Sequence, residues 1–505
     1  MYFVFCIQYS ILFRKHHVKS YFQNLISSSA VIERTENHIC IYRDRKTVNY
    51  KNLFKSTGVT TVGLVGTGAF GRSFLAQSRM TPGIRVPVVC DQDIEIAEDA
   101  CLQIGLTLED LKVCRTESET NDAIASGKTA VIRDALLLMD LPIEVVIEAS
   151  GMPGAGALHA LSAIENGKHV VMVTKETDCV VGPILNRQAQ KAGLVYTPAD
   201  GDQPSLLIGL ISWAEILGFE IVCAGKAGEL DFVYAPDSNT IVRGNQTASL
   251  AGEDLWQLTG GAAEQGIRHR RRVLASLPQF SVADLCEMAI VINSTGYDYD
   301  APRLHAPIAR IIEMPEIMCG RADRGILQKE GVIDMVNCLR RPDEISFAGG
   351  VFVIVKCRER ETWQFLKNKG HLVNRAGTRA MIFRPYHLLG VETATSVLTA
   401  SCLKMPTGGI DPRPRVDVGV RAIRTLQQGD RLTLKPDHSI AGLMPELLPA
   451  KKMASDSPIP YYMAAGNSLK HTVEEGRLLT YGMIDHDPES CLWKLRRKQD
   501  EFFGL

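Results

Sequence analysis

The segment Thr61–Gly71, TVGLVGTGAFG, constrains this chain more than any other part of it. A short apolar run leads straight into Gly66-Thr67-Gly68-Ala69-Phe70-Gly71, and the chain then reads as helix through Met80. Alone, the Gly-x-Gly-x-x-Gly spacing is a weak signal; between a strand and a helix it acquires a mechanism. Gly66 permits the tight turn, Gly68 lets the backbone approach a pyrophosphate, and Gly71 lets the helix pack closely on the strand. The first N–H groups of the helix and its dipole then face the phosphates. Asp91 lies 20 residues beyond Gly71, at the end of the next apolar run. A carboxylate there accepts from the adenosine ribose hydroxyls and repels a 2′-phosphate, which favours NAD over NADP. Arg72 argues the other way. A plain strand–helix turn is the competing reading, and Asp91 weighs against it.

Beyond the motif the rhythm is regular. Apolar runs at 61–65, 85–90, 130–132, 144–149, 169–174 and 194–196 alternate with helix-like stretches. Among these are 154–166, closed by Gly167, and 183–191, closed by Gly193. Continuous Val/Ile-rich strands alternating with helices predict a parallel sheet covered on both faces. After Pro204 the rhythm changes. A long helix at 206–217 and a strand at 219–224 precede a polar stretch at 227–280, read as loops over a site. Strands at 347–356 and 379–383 suggest a second, more antiparallel sheet, and a further helix begins within 385–403. The predicted class is therefore α/β. An N-terminal Rossmann doubly wound parallel sheet (58–203) precedes a central α+β substrate and oligomerisation domain (204–405). A Pro/Gly-dense linker (406–414) leads to a small C-terminal β-rich domain (415–490) and a charged tail (491–505). Residues 1–57 form an extension expected to be poorly ordered.

A length of 505 residues suits about three domains. The net charge of −1 supplies no field toward nucleic acid or an anionic membrane, so a small molecule is the expected partner. No uncharged apolar run reaches the length of a membrane span. The closest of the 13 cysteines, Cys90 and Cys101, are too far apart for a Cys-x-x-Cys site. They read as reduced thiols in a cytoplasmic protein. The first 13 residues are apolar and aromatic, with Arg14, Lys15 and Lys19 after them, the wrong order for a secretory signal.

Chemistry-bearing residues cluster at predicted strand ends, where ligands of such sheets bind. Ser150 and Gly151, followed by Met152, are expected to face the nicotinamide or its ribose, with Ser150 also able to cap the next helix. Lys175 ends the strand at 169–174, and Lys226 follows the strand IVCAG; each is a candidate acid or base. Burial beside another cation would lower a lysine pKa into a useful range. Arg384, His387 and Glu392 surround a strand–helix corner and could bind an oxyanion or move protons. The run RHRRR at 268–272 could clasp a phosphate, although such runs are usually solvated. Glu287, His305 and His371 stand isolated, and no spacing suggests a metal site.

VGLVGTGAFG, VVIEASGMPGAG and GKHVVMVTKETD together resemble the NAD-binding half of homoserine dehydrogenases, which carry a Thr-x-x-Lys strand end in the region of Thr174 and Lys175. From about 58 to 490 the chain is similar to a homoserine-dehydrogenase-like group with a C-terminal SAF-type domain, a group that includes deoxyxylulose-phosphate-reductoisomerase-like enzymes. The residues that carry this are GDQPSLL (201–207), Gly225-Lys226, FRPYHLLGVE (383–392) and IPYYMAAG (459–466). The resemblance implies NAD or NADP, a homo-oligomer, Lys175 as the base, and Lys226 as a candidate from the wider group. The chain departs from true homoserine dehydrogenases in lacking an Ala-Glu-x-Asp-Pro segment; its nearest acidic cluster is Asp298–Asp300, and no lysine follows before Lys329.

The expected activity is hydride transfer between a nicotinamide and a small polar hydroxy or keto compound. Lys175 or Lys226 would handle the proton, and Arg384, His387 and Glu392 would orient the substrate. Two alternatives stand beside it: a reductoisomerase of a sugar phosphate, which alone would call for a divalent metal, and a non-catalytic NAD(H)-sensing protein.

Overall fold

The computed structural model describes residues 30–35, 38–43, 49–54, 58–250, 252–258, 263–279 and 281–505. The chain forms two compact units, Met1–Gly58 and Val59–Leu505. In the first, β1 (Ala30–Thr35) pairs antiparallel with β2 (His38–Arg43), and Asn49 caps one helical turn, Tyr50–Leu53. The remainder of the expected extension, including the apolar residues 1–13, lies outside the described residues.

The second unit begins with seven strands: β3 (Thr60–Val65), β4 (Ile84–Cys90), β5 (Leu111–Val113), β6 (Thr129–Ile132), β7 (Val145–Glu148), β8 (His169–Met172) and β9 (Tyr196–Pro198). Their order is β5-β6-β4-β3-β7-β8-β9, and every pair is parallel. Helices cover both faces, so β7 and β8 are buried along their whole length and read as continuous apolar runs. This is the predicted doubly wound sheet. The unexpected member is β5, an edge strand of sequence LKV, too short and polar at its middle to show a pattern. Strand order reverses at β3, with β4 on one side and β7 on the other, which opens a crevice at their carboxyl ends.

Nine strands form the second sheet: β10 (Ile221–Ala227), β11 (Phe232–Ala235), β12 (Thr240–Arg243), β13 (Gln246–Ser249), β14 (Asp298–Tyr299), β15 (Ile308–Ala309), β16 (Val332–Arg340), β17 (Val351–Lys356) and β18 (Arg379–Arg384). The sheet is mixed: β10 runs parallel to β16 and antiparallel to β17. The stretch 227–280 is therefore more than loops, since it supplies β11, β12, β13 and the helix Ala263–Val273. Its strands have polar outer positions, which hid them. Helix Val282–Thr295 has clear local causes. Ser281 and Asp284 form a capping box, and Gly296 ends the helix in the left-handed conformation at φ 83°.

The expected helix at 183–191 begins eight residues earlier, at Lys175, with Pro183 inside it. Proline removes a backbone donor and crowds the preceding turn. Here the broken ladder is repaired from a distance. Gln499 accepts from the Ile184 N–H (3.2 Å) and donates to the Val180 carbonyl (2.9 Å), the two groups that an unbroken helix would join. Gln499 lies on the last helix, Cys491–Phe503, whose Leu492, Trp493 and Leu495 are buried. The charged tail is thus a docked element. Before it, β19 (Val416–Ala422) pairs with β20 (Leu443–Pro449), and β21 (Ser468–Leu469) with β22 (Ile484–Asp485). The linker-like 406–414 is seated on β9 through Gly408 N–H to Thr197 Oγ1 (2.8 Å). The helix expected in 385–403 is split into a turn at Leu389–Glu392, the helix Thr393–Leu398 and a wider turn at Thr399–Leu403. Eleven described cysteines are free, nine of them buried. No helix among the described residues is long and apolar enough to cross a membrane.

Candidate active site

The glycine loop has the geometry its spacing demands. Gly66 has φ 93°, and a Cβ there would collide with the Ala149 carbonyl at the end of β7. A Cβ on Gly71 would collide with the Gly66 carbonyl, so the helix Ala69–Ser78 can sit this close only with glycine there. At Gly68 a Cβ would meet nothing within 4 Å, which leaves an open cradle over the helix N-terminus. Thr67, Ala69 and Phe70 complete the turn. Asp91 is already engaged: its Oδ2 accepts from Thr67 N–H (2.9 Å) and Thr67 Oγ1 (2.7 Å). It braces the loop, and its Oδ1 accepts from Asp93 N–H (3.2 Å). A cavity of about 480 Å³ adjoins this edge, lined by Gln92, Asp93, Glu95 and Arg133. Arg72 turns to Gln103 (3.1 Å).

Ser150 and Gly151 follow β7, and Gly151 N–H donates to Thr174 Oγ1 (3.0 Å), which joins the ends of β7 and β8. Lys175 comes next. It is the first residue of the helix Lys175–Lys191, not the last of a strand. A cation gains nothing from the positive end of a helix dipole, so something else holds it there. That partner is Glu287, whose Oε1 pairs with Lys175 Nζ; Asp202 lies 3.7 Å away on the other side. Glu287 Oε2 pairs with Lys226 Nζ, so one carboxylate bridges both lysines. Lys226 is inside β10 rather than after it and is wholly buried. It also meets Asp284 (2.9 Å) and Glu229 (3.3 Å).

Glu287, which looks isolated in the sequence, is the hub. Asp284 and Glu287 stand three apart on the helix Val282–Thr295 and so share a face. The available signal was an acid set among Leu285, Cys286, Met288 and Ala289, where a buried charge requires a partner. Asp202, Glu229 and Gln203 were likewise not singled out; Gln203 Nε2 donates to Glu229.

The electrostatics reverse one expectation. Burial alone would lower both lysines, but Asp202 and Glu287 around Lys175, and Asp284, Glu287 and Glu229 around Lys226, outweigh it and hold both above their ordinary value. Burial would raise Asp284 and Glu229, yet Lys226 holds them below the usual carboxylate range. For Glu287 burial prevails and its pKa rises. Beside Lys175, burial pushes Glu176 up to about 7. Glu176 pairs with His438 (3.1 Å), which the C-terminal region delivers from a left-handed turn at φ 61°. Tyr461 donates to the His438 carbonyl (3.1 Å), and Tyr462 lies 3.3 Å from its ring nitrogen.

Of the remaining candidates, His387 bonds to the Gly349 carbonyl (2.9 Å), and the site for a Cβ on Gly349 lies between His387 and Gln203. This brings His387 to the lysine cluster. Arg384 pairs with Glu392, which also accepts from Leu388 N–H (3.0 Å). A Cβ at Gly390 would collide with Phe70 and Phe74, so this segment lies directly on the helix of the glycine loop. The RHRRR run divides. Arg270 is buried in a pair with Glu313 (2.7 Å), Arg268 pairs with Glu264 (3.0 Å), and Arg272 contacts His269 (3.1 Å). The run is therefore no single phosphate clasp. His305 is tied to Asp300 (2.6 Å), and Lys329 to Asp298 (2.5 Å). Among the described residues no group of His, Cys, Asp and Glu is arranged to hold a metal.

Residues 201–393 match the family described as "Oxidoreductase DRL, catalytic domain". That span contains Lys226, Glu229, Asp284, Glu287, Arg384, His387 and Glu392, and stops short of Lys175. Over 86 residues the chain is 35% identical to the 1-deoxy-D-xylulose 5-phosphate reductoisomerase of Leptospira biflexa, covering 17% of this chain and 22% of that protein. Over 129 residues it is 28% identical to the enzyme of the same name from Synechococcus, covering 25% and 31%. The chain thus spans less than a third of the length of these curated relatives. A crystal structure of a probable dehydrogenase from Thermotoga maritima aligns with 68% of this chain and 90% of its own, at 11% identity and a TM-score of 0.34.

Proposed function

We propose that this chain is an NAD(P)-dependent oxidoreductase that transfers a hydride between the nicotinamide and the carbonyl carbon of a small polar hydroxy or keto compound. The observation that carries the reading is the position of Lys175. It starts a helix at the carboxyl edge of the parallel sheet, one residue after the Thr174 that holds Gly151, and bears a proton bridged through Glu287 to a second lysine. The residues present fit the cofactor. The open cradle at Gly68 suits a pyrophosphate, and Asp91, Asp93 and Glu95 suit a ribose with free hydroxyls better than a 2′-phosphate, which favours NAD. Ser150 and Gly151 would lie along the nicotinamide ribose. When bound, the nicotinamide supplies or accepts the hydride.

The chain's own part is proton handling and orientation. Lys175 is the more exposed of the two lysines, at 23% against none for Lys226. Held protonated by Asp202 and Glu287, it donates to the substrate oxygen as the carbonyl is reduced and accepts in the reverse direction. Glu287 and Lys226 fix its position and return its proton. His387 and Arg384 orient polar groups of the substrate, and Glu392 holds Arg384. The resemblance to homoserine dehydrogenases supports a substrate of this size, with the 415–490 region as an SAF-type domain.

The names of the curated relatives favour a second reading, a reductoisomerase of a sugar phosphate. A divalent metal for that reaction would need carboxylates free to bind it. Asp202, Glu229, Asp284 and Glu287 converge, but two ammoniums occupy them, so this donor set does not fit the ion. Initial rates with NADH and NADPH across small keto acids, with NAD and NADP across the matching hydroxy acids, and with NADH and NADPH on 1-deoxy-D-xylulose 5-phosphate, separate the readings. Turnover of a hydroxy or keto acid supports the first. Turnover of the sugar phosphate alone replaces it with the second, and failure to bind either dinucleotide removes both.

A further inference from the structure

One member of the RHRRR run remains unaccounted for, and it lies on a different cavity. A cleft of about 830 Å³ runs between the central sheet's 301–306 loop and the β19–β20 hairpin. None of its lining residues belongs to the lysine–carboxylate cluster. Arg271 enters it from the helix Ala263–Val273 and donates to the carbonyls of His305 and Ala306. Arg303 enters from the loop itself and is exposed. Neither guanidinium forms an ion pair among the described residues. Arg421 joins them from β19, paired with Glu446 across the hairpin.

The loop that presents Arg303 is held against its own preference. Leu304 and Ala306 have φ of 59° and 42°, in the left-handed region that residues with a Cβ avoid. Two carboxylates impose this shape. Buried Asp334 accepts the N–H groups of His305 (2.9 Å), Ala306 (3.1 Å) and Met335 (2.8 Å). Asp300 accepts from the Gln328 (2.9 Å) and Lys329 (3.2 Å) N–H groups and sits 2.6 Å from the His305 ring. Strained backbone fixed from several directions concentrates where a chain binds something. Burial lowers the Arg271 pKa, Asp334 behind the loop raises it, and the neighbouring Arg303 lowers it again, so two like charges stand near each other at the cleft.

We propose that this cleft is a second ligand site, which takes a small organic anion. Its phosphoryl or carboxylate head would sit between Arg271 and Arg303, since guanidinium forks match both head groups. Its apolar body would lie along Ile423 and Met444, which line the opposite wall. Among the residues lining the cleft three guanidiniums face one carboxylate, Glu446, while Asp334 acts on Arg271 from behind the loop; the exposed Arg303 has no ion-pair partner among the described residues and is left for an anion.

Calorimetric titration of the full chain with phenylphosphonate, benzoate and neutral benzyl alcohol tests the site. An anion binding where benzyl alcohol does not supports the proposal, and the tighter of the two anions tells phosphoryl from carboxylate. Arg303→Ala, an exposed change with no ion pair to lose, should weaken the anion about 10-fold. Ile423→Glu should abolish its binding, and Lys175→Met should leave it unchanged. No binding of either anion, equal binding of the alcohol, wild-type affinity in both cleft variants, or loss in Lys175→Met would each overturn the proposal.

Discussion

Lys226 and Arg496 are both wholly buried cations among carboxylates, and their surroundings show how such clusters differ in purpose. Arg496 donates to both oxygens of Asp417 (2.6 and 2.7 Å), to Asp500 (2.8 Å) and to the Lys451 carbonyl (2.9 Å). Its fork is filled by groups whose geometry matches it, and it fastens the last helix to β19. Lys226 shares Glu287 with a second lysine, and four carboxylates surround the two ammoniums. This cluster draws on four separate segments, and Lys175 is its partly exposed cation. A saturated cluster fixes parts of a fold. A cluster with surplus carboxylates and an open side can gain and lose protons, which is where perturbed groups become chemically useful.

The largest expected effect separates the two. Lys175→Met should lower kcat by about 100- to 10,000-fold, with the melting temperature close to wild type. Initial rates on the substrate found by screening check this, and a loss under 10-fold would erase the distinction. Arg496→Met should do the opposite. It leaves Asp417 buried without a partner and costs about 3–5 kcal/mol in denaturant unfolding, while the rate per folded molecule stays the same.

A third test uses pH. Burial pushes Asp178 up to about 7, against the hydrogen bond from Tyr196 (2.8 Å). The folded state therefore keeps a proton that the unfolded chain releases near pH 4. The stability this contributes is complete below that pH and is lost as pH rises through 7. Urea unfolding should show wild type losing on the order of 2–4 kcal/mol between pH 4 and 8, with Glu176 adding in the same sense. Asp178→Asn should flatten that slope; an unchanged slope would assign it elsewhere. The smallest effect is at the cofactor edge. Asp91→Ala should weaken NADH about 10-fold in a fluorescence titration, through both the loop and the ribose contact, and NADPH less.

The glycine loop was legible in the sequence because its constraints are local backbone geometry, set within six residues and confirmed by what a Cβ would strike. The parallel sheet was legible for the same reason, apart from β5. The lysines were found from their place near strand ends. Glu287 was not, because its partners lie 112 and 61 residues away and nothing local marks them. The helix start at Lys175 was hidden likewise: Pro183 reads as a beginning until Gln499, more than 300 residues on, repairs the turn. What one segment decides can be read from one segment, and what two distant segments share cannot.

The most direct measurement of the central claim is a crystal structure of the protein with NADH bound. The account predicts the pyrophosphate over Gly68 and the nicotinamide between Gly151 and Lys175, with Lys175 Nζ facing the space beside the hydride-bearing ring face. A nicotinamide outside that cleft, or one with Lys175 turned away behind Glu287, would contradict it.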